Sequence, residues 1–574
     1  MASLRTKLTV QLQKTLKELC DNGTLACDPP AIFLTPTKQA SHGDYACSAA
    51  MALAKPLKAK PRDIAMKIQG ALGNANGLLE KTEIAGPGFL NFFVAKEAWH
   101  QALAEILDAG DAALCSDLGA GEKVLVEYVS ANPTGPLHIA HGRGAVTGDV
   151  IAKLLVKAGY KVEREYYVND LGHQTDILGR SIYLRYAELL GRSFVTPEDF
   201  YPGEYVIDIA RTLVEEFNEK FLDAPEAEWL DDFRERGIKW MLGRIREDLA
   251  AFGVEFDNWV SEKELTARVG LEGVIDRLQK AGHVYEEEGK RWFRTTDLGD
   301  DKDRVVVRED GRTTYFASDI AYHDDKMSRG FNTLINIWGA DHGGYIARVR
   351  AGLAALGYDP KDLEVILVQM VSLSRDGEAV KMGKRLGTAV WLADVIEEAG
   401  RDATRYFFVM RRSESQLEFD LALATKKSLD NPVFYAQYGH ARLCALAQKA
   451  VDKGVPEPTL GPGALDPLVL PEELDLIRAM DKAPDVIADA ARAREPHQVV
   501  HYIQDMIAGF HSYFSQYKNT EKVVSDDADK TRARLLMCRA LRNTLAGLLG
   551  ILGVSAPERM DFEAEPGEEG GVTE

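Results

Sequence analysis

Cysteine is scarce in this sequence, and what there is lies far apart. Cys20, Cys27, Cys47, Cys115, Cys444 and Cys538 are scattered through 574 positions. No Cys-x-x-Cys pair and no local Cys/His group occurs, so neither a disulfide scaffold nor a bound zinc or other protein metal is expected. Free thiols in a reducing, cytoplasmic compartment fit that usage. No apolar run reaches the ~20 residues of a membrane-spanning helix, so no membrane association is expected. Positive charge is also in deficit. Lys and Arg number 69 against 89 Asp and Glu, a formal charge of −20, which argues against DNA as a partner. RNA is not thereby excluded, because a phosphate feels the local field over a Debye length of ~8–10 Å and not the net charge.

What is present belongs to an ordinary globular protein. Hydrophobic residues make up 45% and charged residues 28%, and the length is several times that of one hydrophobic core, so three to five units are expected. Leu4, Leu8, Leu12 and Leu16 recur every fourth residue, as on a helix packed into a core. Glu18 and Asp21 in the same stretch argue against a targeting peptide. The first unit, 1–118, alternates helical segments with a strand-like run at 86–93 and reads as α+β. A Gly-rich link at 119–122 opens the second unit, 119–418. There a strand at 124–130, a helix at 139–158 and a strand at 161–169 make a βαβ unit, the seed of a parallel sheet. Residues from about 175 to 295 are helical and charged and read mainly as an insertion, with the sheet resuming at 304–307, 334–338 and 365–371. Residues 419–560 read as an all-α bundle, beginning with the Asn431-Pro432 cap pair. The tail, 561–574, is acidic and expected to be disordered.

Two elements carry chemistry. In Ser130-Ala131-Asn132-Pro133-Thr134-Gly135-Pro136-Leu137-His138-Ile139-Ala140-His141-Gly142 a strand ends in a Pro/Gly loop, and a helix opens with two histidines three apart. That spacing puts both rings on one face of the first turn, beside free N–H groups that attract phosphate oxygens. Two histidines alone would favour a structural role. The second element, Lys381-Met382-Gly383-Lys384-Arg385, sets three cations in five residues, able to neutralise charge developing on a triphosphate. A Lys-rich loop alone is usually a solvated surface; the combination is more specific.

Together the two elements resemble the His-Ile-Gly-His and Lys-Met-Ser-Lys signatures of class I aminoacyl-tRNA synthetases, with Ala140 in place of Gly and Gly383 in place of Ser. The resemblance implies a Rossmann-like catalytic fold and chemistry on ATP, with Mg2+ as its usual companion. Catalysis would rest on His138, His141, Lys381 and Lys384, and Ala140, Gly142 and Met382 would also line the ATP site. Five further runs are similar to the arginyl members in particular: 126–138, 201–205, 292–296, 314–323 and 430–438. The likeness extends over nearly the whole chain.

A guanidinium needs planar, bidentate acceptors, which carboxylates supply. The resemblance places Tyr315 and Asp319 on the arginine side chain, with Glu262 as a looser second acceptor. It places Glu127 and Asn132 on the α-ammonium group. Asp341 and His342 follow the strand-like run at 334–338, where a parallel sheet presents its ligands, and complete the arginine set. It further implies that the first unit touches the elbow of tRNA(Arg) through Phe89 and Asn91 in an exposed turn. The bundle would read the anticodon, with Tyr435, Tyr438, Arg442, Arg539 and Arg542 as candidate contacts. A monomer that activates L-arginine only once tRNA is bound is the expected form. Two alternatives stay open on the residues alone: a non-catalytic RNA-binding relative, against which the intact histidines and lysines argue, and a class I enzyme for another amino acid.

Overall fold

The computed structural model describes residues 2–37, 39–380 and 390–561. The signature lysines Lys381 and Lys384, with Met382, and nearly all of the acidic tail lie outside the described residues.

The chain opens with helix Leu4–Asp21, capped by the Ser3 side chain, and buries Leu4, Leu8, Leu12 and Leu16 as their spacing requires. It belongs to an α+β unit whose antiparallel sheet runs Leu34–Pro36, Tyr45–Cys47, Phe89–Val94, Leu79–Ala85. The second unit is built on a five-stranded parallel sheet in the order Leu363–Val368, Thr333–Gly339, Lys123–Glu127, Lys161–Val168, Asn258–Ser261. Lys123–Glu127 lies at its centre, with Val124, Leu125 and Val126 fully buried, because covering a parallel sheet on both faces leaves no strand position for water. Helix Ile139–Lys157 follows and returns to strand Lys161–Val168, the βαβ unit expected from the sequence.

The insertion is helical only in part. Helices His173–Leu189, Glu204–Phe217 and Glu226–Ala251 share their own core, in which Tyr183 stacks on Trp229 at 3.8 Å. The chain then supplies the fifth parallel strand, Asn258–Ser261, within the range read as insertion. Four half-buried residues are too few to show a period, which is why the strand is silent in the sequence. Strand Arg304–Val307 does not rejoin the main sheet. It pairs antiparallel with Lys290–Phe293 in a separate three-stranded sheet. A fourth sheet joins Val371–Arg375 in parallel to Leu417–Asp420, so the boundary expected at residue 418 falls inside a strand and the helices begin at Leu421.

The C-terminal bundle is formed by helices Pro432–Asp452, Pro471–Asp481, Ala483–Ala493, His497–Tyr517 and Ala528–Leu552. The last is long and apolar enough to cross a membrane by composition, but 67% of its apolar window is buried in the protein. Inside the bundle Arg534 and Glu473 are both out of contact with water and paired at 2.7 Å.

Candidate active site

Strand Lys123–Glu127 ends at the sheet's carboxyl edge, and helix Ile139–Lys157 starts from the loop that follows it. Between strand and helix the backbone doubles back through Val129 (φ 69°) and Ser130 (φ 40°). A β-branched residue in the left-handed region is strained, and such strain persists only where the surroundings hold it. Here Ser130 holds it, donating its hydroxyl to Glu127 Oε1 at 2.9 Å and accepting the Tyr167 N–H at 3.1 Å.

The two histidines follow. His138 caps the helix and His141 sits one turn in; their rings stack with centroids 3.6 Å apart, and the His138 N–H donates to His141 Nδ1 at 3.3 Å. Burial lowers the pKa of both. For His141, burial and the neighbouring ring bring it to about 3, so near pH 7 these are neutral hydrogen-bonding rings, not cations. The strand of chain beyond the undescribed lysine segment is stitched to them. The Ile139 N–H donates to Val390 O at 2.9 Å, and the Leu392 N–H donates to Leu137 O at 2.8 Å. The histidine signature is thus tied by a backbone bridge to the chain at Trp391. Gly142 packs tightly at that junction: a Cβ there would lie 2.5 Å from Leu392 Cδ1 and 3.1 Å from the Phe408 ring. Ala140 remains half-buried on the first turn.

The carboxylates gather on the far side of the strand ends. Glu262 opens helix Glu262–Val269 and is 3% exposed. Burial, then the nearby Asp319 and Asp170 carboxylates, push its pKa up to about 7. Asp319, one turn into helix Tyr315–Ser328, is raised to about 6, chiefly by burial; the Tyr345 hydroxyl donates to it and opposes the rise. The Asp319 charge thus makes Glu262 costlier to ionise, and the Glu127 charge does the same to Asp319. Tyr315, four residues before Asp319 on the same helix, sets its hydroxyl against Gly172, where a Cβ would lie 2.5 Å from it.

Glu127 is buried and already paired: Lys326, with no exposed surface, donates to it at 2.5 Å and to Asn336 Oδ1 at 3.3 Å. Asn132 is exposed, donating to Gln174 and accepting from Asn169 at 3.0 Å. Asp341 and His342 lie exposed in a short turn, Ala340–Tyr345, 3.5 Å apart. They line a cavity of about 420 Å³ with Arg304, Tyr345 and Arg348, and Tyr345 connects that cavity to Asp319. Sequence reasoning missed Tyr345, Lys326 and Asp170. Asp170 accepts both the Ser261 hydroxyl, at 2.5 Å, and the Lys263 N–H, at 2.9 Å, and so fixes the helix start that bears Glu262. Nothing in their local spacing signals these roles, which arise from pairing across 91 or more residues in sequence for Asp170 and Lys326.

The RNA candidates are less uniform. Phe89 is 40% exposed, but Asn91 is 6% exposed within strand Phe89–Val94, so the exposed turn expected for both does not exist at Asn91. Arg442 is half-buried with its guanidinium 4.1 Å from the Phe514 ring, and burial lowers its pKa. Tyr435 and Tyr438 meet the ring of His511 at 5.3 and 6.1 Å. Arg539 reaches Pro458 O at 3.3 Å and Glu457 at 3.9 Å, and Arg542 reaches Asn543.

Comparison with known proteins agrees along the whole length. Residues 6–94 match the arginyl tRNA synthetase N terminal domain, 103–201 and 208–420 the class I (R) tRNA synthetase catalytic domain, and 436–560 the DALR anticodon binding domain. An arginine–tRNA ligase of Syntrophotalea carbinolica is 51% identical over 531 residues, covering 92% of this chain and 95% of that one. One from Citrifermentans bemidjiense is 46% identical over 97% of this chain and 100% of that one. The arginyl-tRNA synthetase of Thermus thermophilus shares the fold, with a TM-score of 0.75 over 97% of this chain and all of that one, at 23% identity. On its sequence, its three matched regions and its parallel-sheet core, this chain belongs to the arginyl-tRNA synthetases of class I.

Proposed function

We propose that this enzyme, which charges tRNA with arginine using ATP, joins its two small substrates between the stacked histidines and the Glu262–Asp319 pair. The observation that carries the proposal is the pair of carboxylates with raised pKa, the buried Glu262 and the half-buried Asp319, whose charge contributes to the rise of Glu262. A guanidinium placed between them is charge-compensated by planar acceptors on two sides, with Tyr315 beside it. Glu127 and Asn132 take the α-ammonium group; because Lys326 already balances Glu127, this end contributes orientation more than net attraction. Asp341 and His342 border the same pocket through Tyr345.

ATP lies over the start of helix Ile139–Lys157. The neutral His138 and His141 donate to its phosphates there, at the positive end of that helix. Mg2+ accompanies the nucleotide as part of the substrate. Lys381 and Lys384, assigned from sequence, neutralise the triphosphate while the arginine carboxylate attacks the α-phosphorus and pyrophosphate leaves. No covalent enzyme intermediate is needed, and positioning with charge stabilisation supplies the rate. The aminoacyl group then passes to the terminal adenosine of tRNA, bound through the helical bundle and the N-terminal unit, by a monomeric cytoplasmic enzyme.

The test is pyrophosphate exchange into ATP, with tRNA present, across a panel of amino acids. Exchange with arginine alone of the panel is expected, and Glu262→Gln should raise the arginine KM while leaving that for ATP unchanged. An unchanged arginine KM in Glu262→Gln and in Asp319→Asn would move the amino-acid site elsewhere.

A further inference from the structure

Helix Ile139–Lys157 carries the histidines at its first turn and is held at two further points by buried charge. Arg143, fully buried, donates to the carbonyls of Gln369, Arg412 and Ser415 at 2.8–2.9 Å. Asp149, 3% exposed, accepts from Lys153 at 2.7 Å and from Arg405. Arg405 has no exposed surface and lies on helix Arg401–Val409, near the junction of the catalytic unit and the bundle. Its remaining donors go to the ends of two other helices. Nε donates to Leu552 O at 2.9 Å, on the last residue of helix Ala528–Leu552. Nη1 donates to Phe252 O at 2.9 Å and Gly253 O at 3.2 Å, just past helix Glu226–Ala251. A cation is favoured at both helix carboxyl ends, and the planar fork serves all three directions at once. One guanidinium therefore joins the histidine helix, the insertion and the end of the bundle's last helix.

The bundle side is held as tightly. Gly553 turns the chain out of helix Ala528–Leu552 at φ 69°, and a Cβ there would fall onto the Arg405 guanidinium. Two residues on, Ser555 donates its N–H to Asp402 Oδ2 at 3.1 Å. Gln437 on bundle helix Pro432–Asp452 donates to that same oxygen at 2.9 Å. Helix Arg401–Val409 thus meets the bundle through Asp402 and Arg405, and the histidine helix through Arg405.

We propose that Arg405 is a positioning residue for the signature histidines, holding their helix in register with the carboxyl end of the bundle. It touches neither substrate. A displacement of the bundle's last turn moves the guanidinium, the guanidinium moves Asp149, and the helix that presents His138 and His141 to ATP shifts with it. The inference rests on the role given above to the histidines.

The test is a double-mutant cycle of Gly553→Ala and Arg405→Met in the full chain, with tRNA present, below the melting temperature of every variant. Gly553→Ala presses on Arg405 from the bundle side without reaching the histidine helix. Each single change should lower kcat for pyrophosphate exchange, per active site titrated, about tenfold while the arginine KM stays within about twofold. The double variant should be no slower than Arg405→Met, since the push has nothing left to act on. Should Gly553→Ala not accumulate, Arg405→Lys and Asp149→Asn make an equivalent cycle, Lys keeping the charge opposite Asp149 but losing the fork. Unchanged kcat per active site with only a lowered melting temperature, or losses that simply multiply, would overturn the proposal. His141→Ala is measured alongside: if it leaves kcat intact, the reading of the histidines fails instead.

Discussion

Arginine binding should be steeply dependent on pH over a range where ordinary carboxylates do not titrate. Glu262 is pushed up to about 7 by desolvation and then by the Asp319 and Asp170 charges, and Asp319 to about 6 by desolvation and the Glu127 charge. A guanidinium pairs with the ionised forms, so the apparent KM for arginine scales with the reciprocal of the ionised fraction of each. Between pH 8 and pH 6 the ionised fraction of Glu262 falls from about 0.9 to about 0.09, a tenfold loss, and that of Asp319 falls about twofold. Together they raise KM roughly 20-fold, whereas two unperturbed carboxyls would change it by only a few per cent over the same range. His141 adds nothing to this window, since it lies near 3. The assay is steady-state pyrophosphate exchange at saturating ATP and tRNA, in buffers of constant ionic strength. The arginine KM should climb as pH falls while the ATP KM stays level. In Glu262→Gln the pH effect should shrink to about twofold on a higher baseline. A flat arginine KM from pH 6 to 8 would refute the reasoning.

The same shifts bear on stability, with a sign opposite to that of a salt-bridged acid. A carboxyl whose folded pKa is raised contributes stability that is fully present below its unfolded pKa and is lost as pH rises through the folded value. The free enzyme should therefore lose the Glu262 and Asp319 contributions between about pH 4 and 8. Bound arginine should restore them, so that its thermal shift is larger at pH 8 than at pH 6.

Other expectations can be checked singly. Asp319→Ala should raise the arginine KM about 100-fold or more and leave the ATP KM near normal, because the loss falls on a buried guanidinium without its acceptor; equal changes in both constants would count against the assignment. His141→Ala should lower kcat for exchange about 100-fold with little change in arginine KM, read by single-turnover adenylate formation. Arg539→Glu should weaken tRNA binding and flatten its dependence on salt, as filter binding at several ionic strengths would show. Charge reversal at Arg442 should also cost stability, because that side chain packs on Phe514. Arg534→Met leaves Glu473 buried without its partner and should destabilise the bundle by about 3–5 kcal/mol in denaturant unfolding.

What the sequence reveals and what it hides divide along a physical line. The N-terminal leucines, the central βαβ unit and the two histidines are legible because each is a local pattern, with a period, a cap or a spacing that fixes its own geometry. Strand Asn258–Ser261 is not, because its strand character comes from pairing with Tyr166 and its neighbours, 93 residues earlier. Arg304–Val307 misleads for the converse reason: a run of three valines suits any sheet, and only its partners decide which. The site repeats the division. Asp319 and Glu262 can be named from resemblance, yet what would let them act together on a cation is their approach across 57 residues of chain, with Asp170 holding the start of one helix and the Thr314 hydroxyl, bonded to Val305 O, preceding the other. Lys326, Tyr345 and Arg405 leave no trace in spacing because each acts on a partner from another element. A motif thus identifies which atoms meet the substrate, while the residues that set their charge and hold them in place are distributed through the fold. For this enzyme that second group, Asp170 under Glu262 and Arg405 behind the histidine helix, is where substitutions far from either signature should alter the chemistry.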